Sequence, residues 1–164
     1  MKTVILVRHA KTEHGISCNN DSERQLTDRG KKDALSVSEE FLKTGIKPDS
    51  IYSSHAARAL ATAHIFGRTF NWDVKNINID SSIYNDGFAS VLEIIAFLDE
   101  NIDSVIFFGH NPDFTMLSNK LSGNKIESVP TCGLLCIDFG IKKWKDISGK
   151  VGQARFYLYP KLFK

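Results

Sequence analysis

Four residues with the chemistry to hold and move a small oxyanion stand at the ends of apolar runs. Arg8 and His9 follow TVILV at Thr3 to Val7, His110 follows DSVIFFG, and Arg58 lies within one helical turn of IYSS. Two guanidinium groups and two imidazoles suit a phosphoryl group: arginine's planar fork meets phosphate oxygens in pairs. Nothing else among them resembles an acyl-transfer or metal site. Taken singly, each has a plainer reading, the histidines as caps or surface residues and Arg58 as a solvated helix face. Their coincidence argues otherwise, each with a small neighbour (Ala10, Ala57 or Gly109) that would let a ligand approach.

The elements that must position them follow from the hydrophobic period. TVILV is apolar on both faces, as in a sheet covered on both sides. Thr27 reads as the N-cap of a helix through LSVSEEFLKTG, stopped at Gly45 with Pro48 beyond. A short strand at Ser50 to Ser53 leads into an alanine-rich helix, HAARALATAHIFGRTF, which Ser53 or Ser54 would cap, a hydroxyl donated to a ligand being the alternative. KNINI at Lys75 to Ile79 alternates like an outer strand. SVLEIIAFLDEN has helical spacing, Asp103 to His110 is a second fully apolar strand, and Pro112 suits the start of a helix that Gly123 ends. GLLCIDF and ARFYLY, joined by WKDISG, read as an antiparallel hairpin added to a parallel sheet. The expectation is one α/β domain over residues 1–164. In such a sheet ligands bind beyond the carboxyl ends of the strands, which is where Arg8, His9, Arg58 and His110 fall.

Composition narrows the class. The 164 residues suit one core, and the net charge of +2 with dispersed Lys and Arg does not indicate nucleic acid as the main partner. No stretch is apolar for long enough to cross a bilayer, and MKTVILVRHA lacks a signal-peptide h-region, so the expected setting is cytoplasmic, with no membrane partner. Cys18, Cys132 and Cys136 have no paired spacing, which argues against disulfides, and the C-x-x-x-C pair reads as buried thiols on a strand rather than half a metal site.

At these residues the chain resembles a known family. VRHAKTE is similar to the Arg-His-Gly signature of the histidine phosphatase superfamily, with Ala10 where glycine is usual, and GHNP at Gly109 to Pro112 resembles its second histidine motif. ERQLTDRG, SSHAARALATA and PTCGLLCIDF resemble, in order along nearly the whole chain, the short SixA-type phosphohistidine phosphatases. The resemblance implies a phosphoglycerate mutase-like fold: a three-layer α/β/α sandwich, its central sheet mostly parallel with an antiparallel C-terminal edge strand. It implies that His9 is the nucleophile that becomes phosphorylated, that Arg8 and Arg58 hold the phosphoryl oxygens, and that His110 completes the pocket as a donor. Arg24 would line the pocket or serve as a structural ion-pair partner, and Thr12 would face the site or stabilise the turn. No metal or other cofactor is implied.

Members that act on phosphate esters carry a glutamate to protonate the leaving alkoxide. Here Glu13, on the nucleophile's loop, and Asp86, in IYNDGF, are the two weak candidates. An alkoxide's conjugate acid lies near that of water, about 15.7, whereas imidazole leaves with a conjugate acid of about 6.5. Weak acid machinery therefore favours a phosphoramidate. The expected partner is a phosphorylated protein, a phosphorelay domain or phosphocarrier. The alternatives are a phosphatase of small phosphate esters and, with Ala10 as its encouragement, a binding module without turnover. Oligomeric state is not legible.

Overall fold

The computed structural model describes residues 1–14 and 20–164. The chain runs β1 (Lys2–Arg8), α1 (Asp28–Lys43), β2 (Ser50–Ser53), α2 (Ala57–Thr69), β3 (Asn78–Ile79), α3 (Ser82–Asn85), α4 (Phe88–Ala96), β4 (Ser104–Gly109), α5 (Asp113–Ser122), β5 (Leu134–Phe139) and β6 (Gln153–Leu158). The strands form one sheet in the order β3-β2-β4-β1-β5-β6. β1, β4, β2 and β3 are parallel; β5 is antiparallel to both β1 and β6. The reversed strand of the C-terminal hairpin is thus interior, and β6 forms the edge.

Strand periodicity divides the core in two. Val4, Leu6, Val105, Phe107, Leu135 and Ile137 face α4, α5 and Trp144. Ile5, Val7, Ile106, Phe108, Leu134 and Cys136 face α1 and α2, where Val37, Phe41, Ala63 and Phe66 meet them. The result is the expected three-layer α/β/α arrangement.

Helix boundaries follow the local chemistry. The Thr27 hydroxyl accepts from Gly30 N–H to cap α1, Gly45 beyond its end has φ +78°, and Gly123 closes α5 at φ +72°. One expectation needs correction. KNINI is a strand only at Asn78–Ile79, because a 3-10 turn at Val74–Asn76, capped by the Asp73 carboxylate, takes up its start. The first part of IYNDGF lies in the short helix α3, whose Ser82 hydroxyl and N–H are held by Asp80. Cys132 and Cys136 are buried free thiols whose pKa values burial pushes up, while Cys18 lies outside the described residues. Among the described residues no helix is long and apolar enough to cross a membrane.

Candidate active site

Strand register sets the site. β1 pairs with β4 so that Arg8 is opposite Gly109, and His9 N–H donates to the Gly109 carbonyl at 3.0 Å. The next residue on each strand is a histidine, and the two rings lie 5.3 Å apart between centroids. On the other side of β4, Ser53 is opposite Phe108, and Ser54 N–H donates to the Phe108 carbonyl. His9, His110 and Ser54 therefore leave the sheet at one level, with Arg58 rising from the first turn of α2.

The loop that follows β1 is pinned from three sides. Ala10 N–H donates to the Thr62 hydroxyl of α2 at 3.0 Å, Cys132 N–H donates to the His9 carbonyl at 3.0 Å, and Thr27 N–H donates to the Lys11 carbonyl at 3.0 Å. A side chain at Gly30 would put its Cβ 2.2 Å from that carbonyl, so this approach of α1 requires glycine.

His9 is 6% exposed, and its Nδ1 lies 2.8 Å from the Ala10 carbonyl. A carbonyl only accepts, so Nδ1 carries the proton and Nε2 keeps its lone pair. Burial lowers the ring's pKa to about 4, opposed by the Ala10 bond and aided by the charges of Arg58, Arg8 and Arg24. At neutral pH the ring is uncharged, with the lone pair on Nε2 unprotonated.

His110, 8% exposed, is also neutral: burial first, then His9 and Arg58, lower its pKa to about 3. A neutral ring is not a cationic donor. Its Nε2 lies 2.6 Å from the Ser54 hydroxyl, whose oxygen accepts from Ala56 N–H at 3.3 Å. The oxygen keeps a second lone pair and its own proton, so two pairings fit: Ser54 donates to Nε2 with the ring proton on Nδ1, a buried atom without a partner among the described residues, or Nε2–H donates to Ser54. In the first pairing a neutral His110 offers Nδ1–H as a donor. Ser54 binds this ring instead of capping α2, whose N-cap, Ala56, has no side-chain bond; the Ser53 hydroxyl donates to the Ser54 carbonyl.

Arg8 donates through Nη1 to the Val129 carbonyl at 2.9 Å, and Arg58, 5% exposed, donates through Nη1 and Nη2 to the Asp21 carbonyl and carboxylate at 2.8 and 2.9 Å. Both Nε atoms are buried without partners. Arg24 donates from Nε to Asp21 at 3.0 Å and from Nη1 to the Thr12 hydroxyl at 3.1 Å. Arg24 thus has a structural carboxylate partner while its charge still reaches His9, and Thr12 serves the loop by holding Arg24.

The carboxylate candidates fare differently. Glu13 is exposed and joins the loop through its backbone, N–H to the Gln25 carbonyl at 3.0 Å. Asp86 is exposed and lines a separate cleft with Ser82, Glu93 and Phe97, apart from the histidines. The small neighbours also serve another purpose than ligand approach. Gly109 makes room for Phe114, whose ring atoms would lie 2.3 Å from an added Cβ, and fully buried Ala10 packs in the core beside α2.

Sequence reasoning missed Asp21 and Tyr84. Asp21 bridges Arg58, Arg24 and the Tyr84 hydroxyl, which donates at 2.6 Å; that bond most, with help from Arg58 and Arg24, lowers its pKa to about 2 against the opposing cost of burial. Tyr84 packs edge-on against His110 with ring centroids 5.2 Å apart, and Arg58 lies over its ring at 5.8 Å. The signal available was an acid three residues before Arg24; nothing local marked Tyr84.

With this geometry the chain was compared with known proteins. Residues 4–82 match the model of the histidine phosphatase superfamily (branch 1). No curated protein matches in sequence. A SixA protein of Agrobacterium tumefaciens, assigned as a phosphohistidine phosphatase, is 27% identical at a TM-score of 0.81, covering 97% of this chain and 98% of its own. The protein histidine phosphatase SixA solved with tungstate is 16% identical (TM-score 0.77, 99% of each chain) and shares the fold. So does a mycobacterial glucosyl-3-phosphoglycerate phosphatase at 15% identity (TM-score 0.65, 97% and 98% covered). The resemblance to the histidine phosphatase superfamily, with SixA proteins among the similar structures, holds.

Proposed function

From its match to the histidine phosphatase superfamily, we propose that this chain is a phosphohistidine phosphatase, acting on a phosphohistidine carried by a protein through a covalent phospho-His9 intermediate. The observation that carries the reading is the protonation state of the site. His9 is neutral with Nε2 free, and the one carboxylate paired with the arginines, Asp21, is ionised at neutral pH and has no proton to give.

In the first step His9 Nε2 attacks phosphorus in line, and the P–N bond to the substrate imidazole breaks with its electron pair returning to that nitrogen. A substrate ring protonated at its other nitrogen departs as neutral imidazole, so no acid is needed at the breaking bond. Charge on the transferring group spreads over three equatorial oxygens, and the partnerless Arg8 Nε, Arg58 Nε and His110 Nδ1 are donors for them. Water then attacks phospho-His9, the new P–N bond breaks, its electrons return to Nε2, and inorganic phosphate carries away the water protons. Guanidinium groups can carry the charge without a metal, and a chelator should leave turnover unchanged.

The test is trapping and substrate comparison. Brief incubation with a histidine-phosphorylated protein should label His9, and His9→Ala should lose both label and phosphate release. A higher kcat/KM for aryl or sugar phosphates than for phosphohistidine would overturn the substrate assignment, and phosphate binding without label or turnover would leave only a binding module.

A further inference from the structure

A second concavity adjoins the site. It has a volume of about 550 Å³ and is reached from the nucleophile loop through Lys11 on one side and Pro130 and Thr131 on the other. Thr131 immediately precedes Cys132, whose N–H holds the His9 carbonyl, and Val129, which accepts from Arg8, precedes Pro130. The cleft therefore opens on the flank of the catalytic loop, between the start of α1 and the C-terminal 3-10 turn at Pro160–Phe163.

Its charge is one-sided. Lys11, Arg29, Lys161 and Lys164 line it against a single carboxylate, Asp33. Asp33 is already engaged, by Lys164 at 3.2 Å and by Arg29 at 4.0 Å, with its side chain only 10% exposed. Lys11 and Lys161 are exposed and have no ion-pair partner among the described residues. The whole chain carries only +2, so the cleft concentrates positive charge that the rest of the surface balances.

Resting on the proposed function, we propose that this cleft docks an acidic face of the phosphorylated protein and orients its phosphohistidine into the His9 pocket. A small polyanion fits the cleft less well. Tight binding of such a ligand needs convergent, buried donors, whereas these cations sit on long, solvated stems spread around the rim, and two share one buried acid. Dispersed cations match the scattered carboxylates of a folded protein, where charge complementarity sets encounter rate and register. Tyr157 and Tyr159, half-buried in the cleft with ring centroids 5.1 Å apart, add the amphipathic aromatic surface enriched at protein interfaces.

The test uses two histidine-phosphorylated proteins, one acidic and one basic such as a histone, with a small phosphoramidate as reference. Wild type should favour the acidic protein, and that preference should shrink between 50 and 500 mM salt. The double variant Lys11→Glu/Lys161→Glu should lose roughly tenfold in kcat/KM on the acidic protein, mainly in KM, and should gain on the basic one. Lys161→Glu alone, away from the nucleophile loop, should move the same way and leave phosphoramidate turnover within about twofold. Docking is overturned, with the phosphohistidine reading intact, if wild type cleaves both proteins and neither variant changes their ratio. It is also overturned if the variants lose only inhibition by a nucleotide or polyphosphate. If wild type cleaves neither phosphoprotein but turns over an aryl phosphate, docking falls together with the function on which it rests.

Discussion

Ser54→Ala tests how a neutral histidine can serve as a donor. The Ser54 hydroxyl lies 2.6 Å from His110 Nε2 in a fully buried setting, and Ala56 N–H accounts for one lone pair of its oxygen. Where Ser54 donates to Nε2, removing the oxygen leaves that nitrogen buried and unpaired and removes what favours the ring proton on Nδ1. Leaving one buried polar group unsatisfied costs about 1–3 kcal/mol. Part of this is recovered if the proton moves to Nε2, but that tautomer turns Nδ1 from donor into acceptor, facing away any phosphoryl oxygen. At about 1.4 kcal/mol per factor of ten, kcat/KM should fall roughly ten- to a hundredfold. The assay is steady-state hydrolysis of a phosphohistidine protein and a small phosphoramidate, with tungstate inhibition measured in parallel and folding checked by Tm. Tungstate should weaken by a factor similar to the loss in kcat/KM, because the missing interaction is to an oxyanion. A folded variant with unchanged kcat/KM and unchanged tungstate inhibition would refute the tautomer argument.

Acid should act on the protein twice. His9 must be unprotonated to attack, so kcat/KM for the free enzyme should be level on this limb above about pH 5 and fall about tenfold per unit below about pH 4. Its folded pKa lies below the unfolded value of about 6.5, so the unfolded chain binds the proton first. Stability is then lost as pH falls from about 6.5 toward 4, by up to roughly 3 kcal/mol from His9, and a Tm series on wild type and His9→Asn should show a flatter slope in the variant. Glu13→Gln should leave phosphohistidine turnover within about twofold; a large loss would reinstate Glu13 as an acid. Gly109→Ala sets a methyl 2.3 Å from the buried Phe114 ring and should cost about 1–3 kcal/mol, read as a lowered Tm.

The strand-end residues were legible because continuous apolar runs, covered on both faces, mark where β1 and β4 stop, and both stop in a histidine motif. Parallel register then brings them together without further information. The partners of these residues were less legible. Asp21 reaches Arg58 across 37 positions of sequence and Tyr84 reaches Asp21 across 63, and no local pattern encodes such pairings. Ser54 was misread because a serine before a helix is an ordinary cap; it takes the ring of β4's histidine instead because β2 and β4 end at the same level. Lys75 to Ile77 misled as strand because alternation also fits a 3-10 turn followed by two edge residues. Glu13 drew notice by its place in the sequence, yet a loop position does not fix where an exposed carboxylate points.

β1 lies between β4 and β5, so the strand that carries Arg8 and His9 is hydrogen-bonded on both sides. Its amide protons can exchange with solvent only when the sheet itself comes apart, and they should be among the slowest in the molecule. A phosphoryl group on His9 would therefore ride on the part of the chain least able to loosen. Accepting the substrate and releasing the product must be done by side chains and partners at the rim, while the reacting nitrogen keeps its place throughout the cycle.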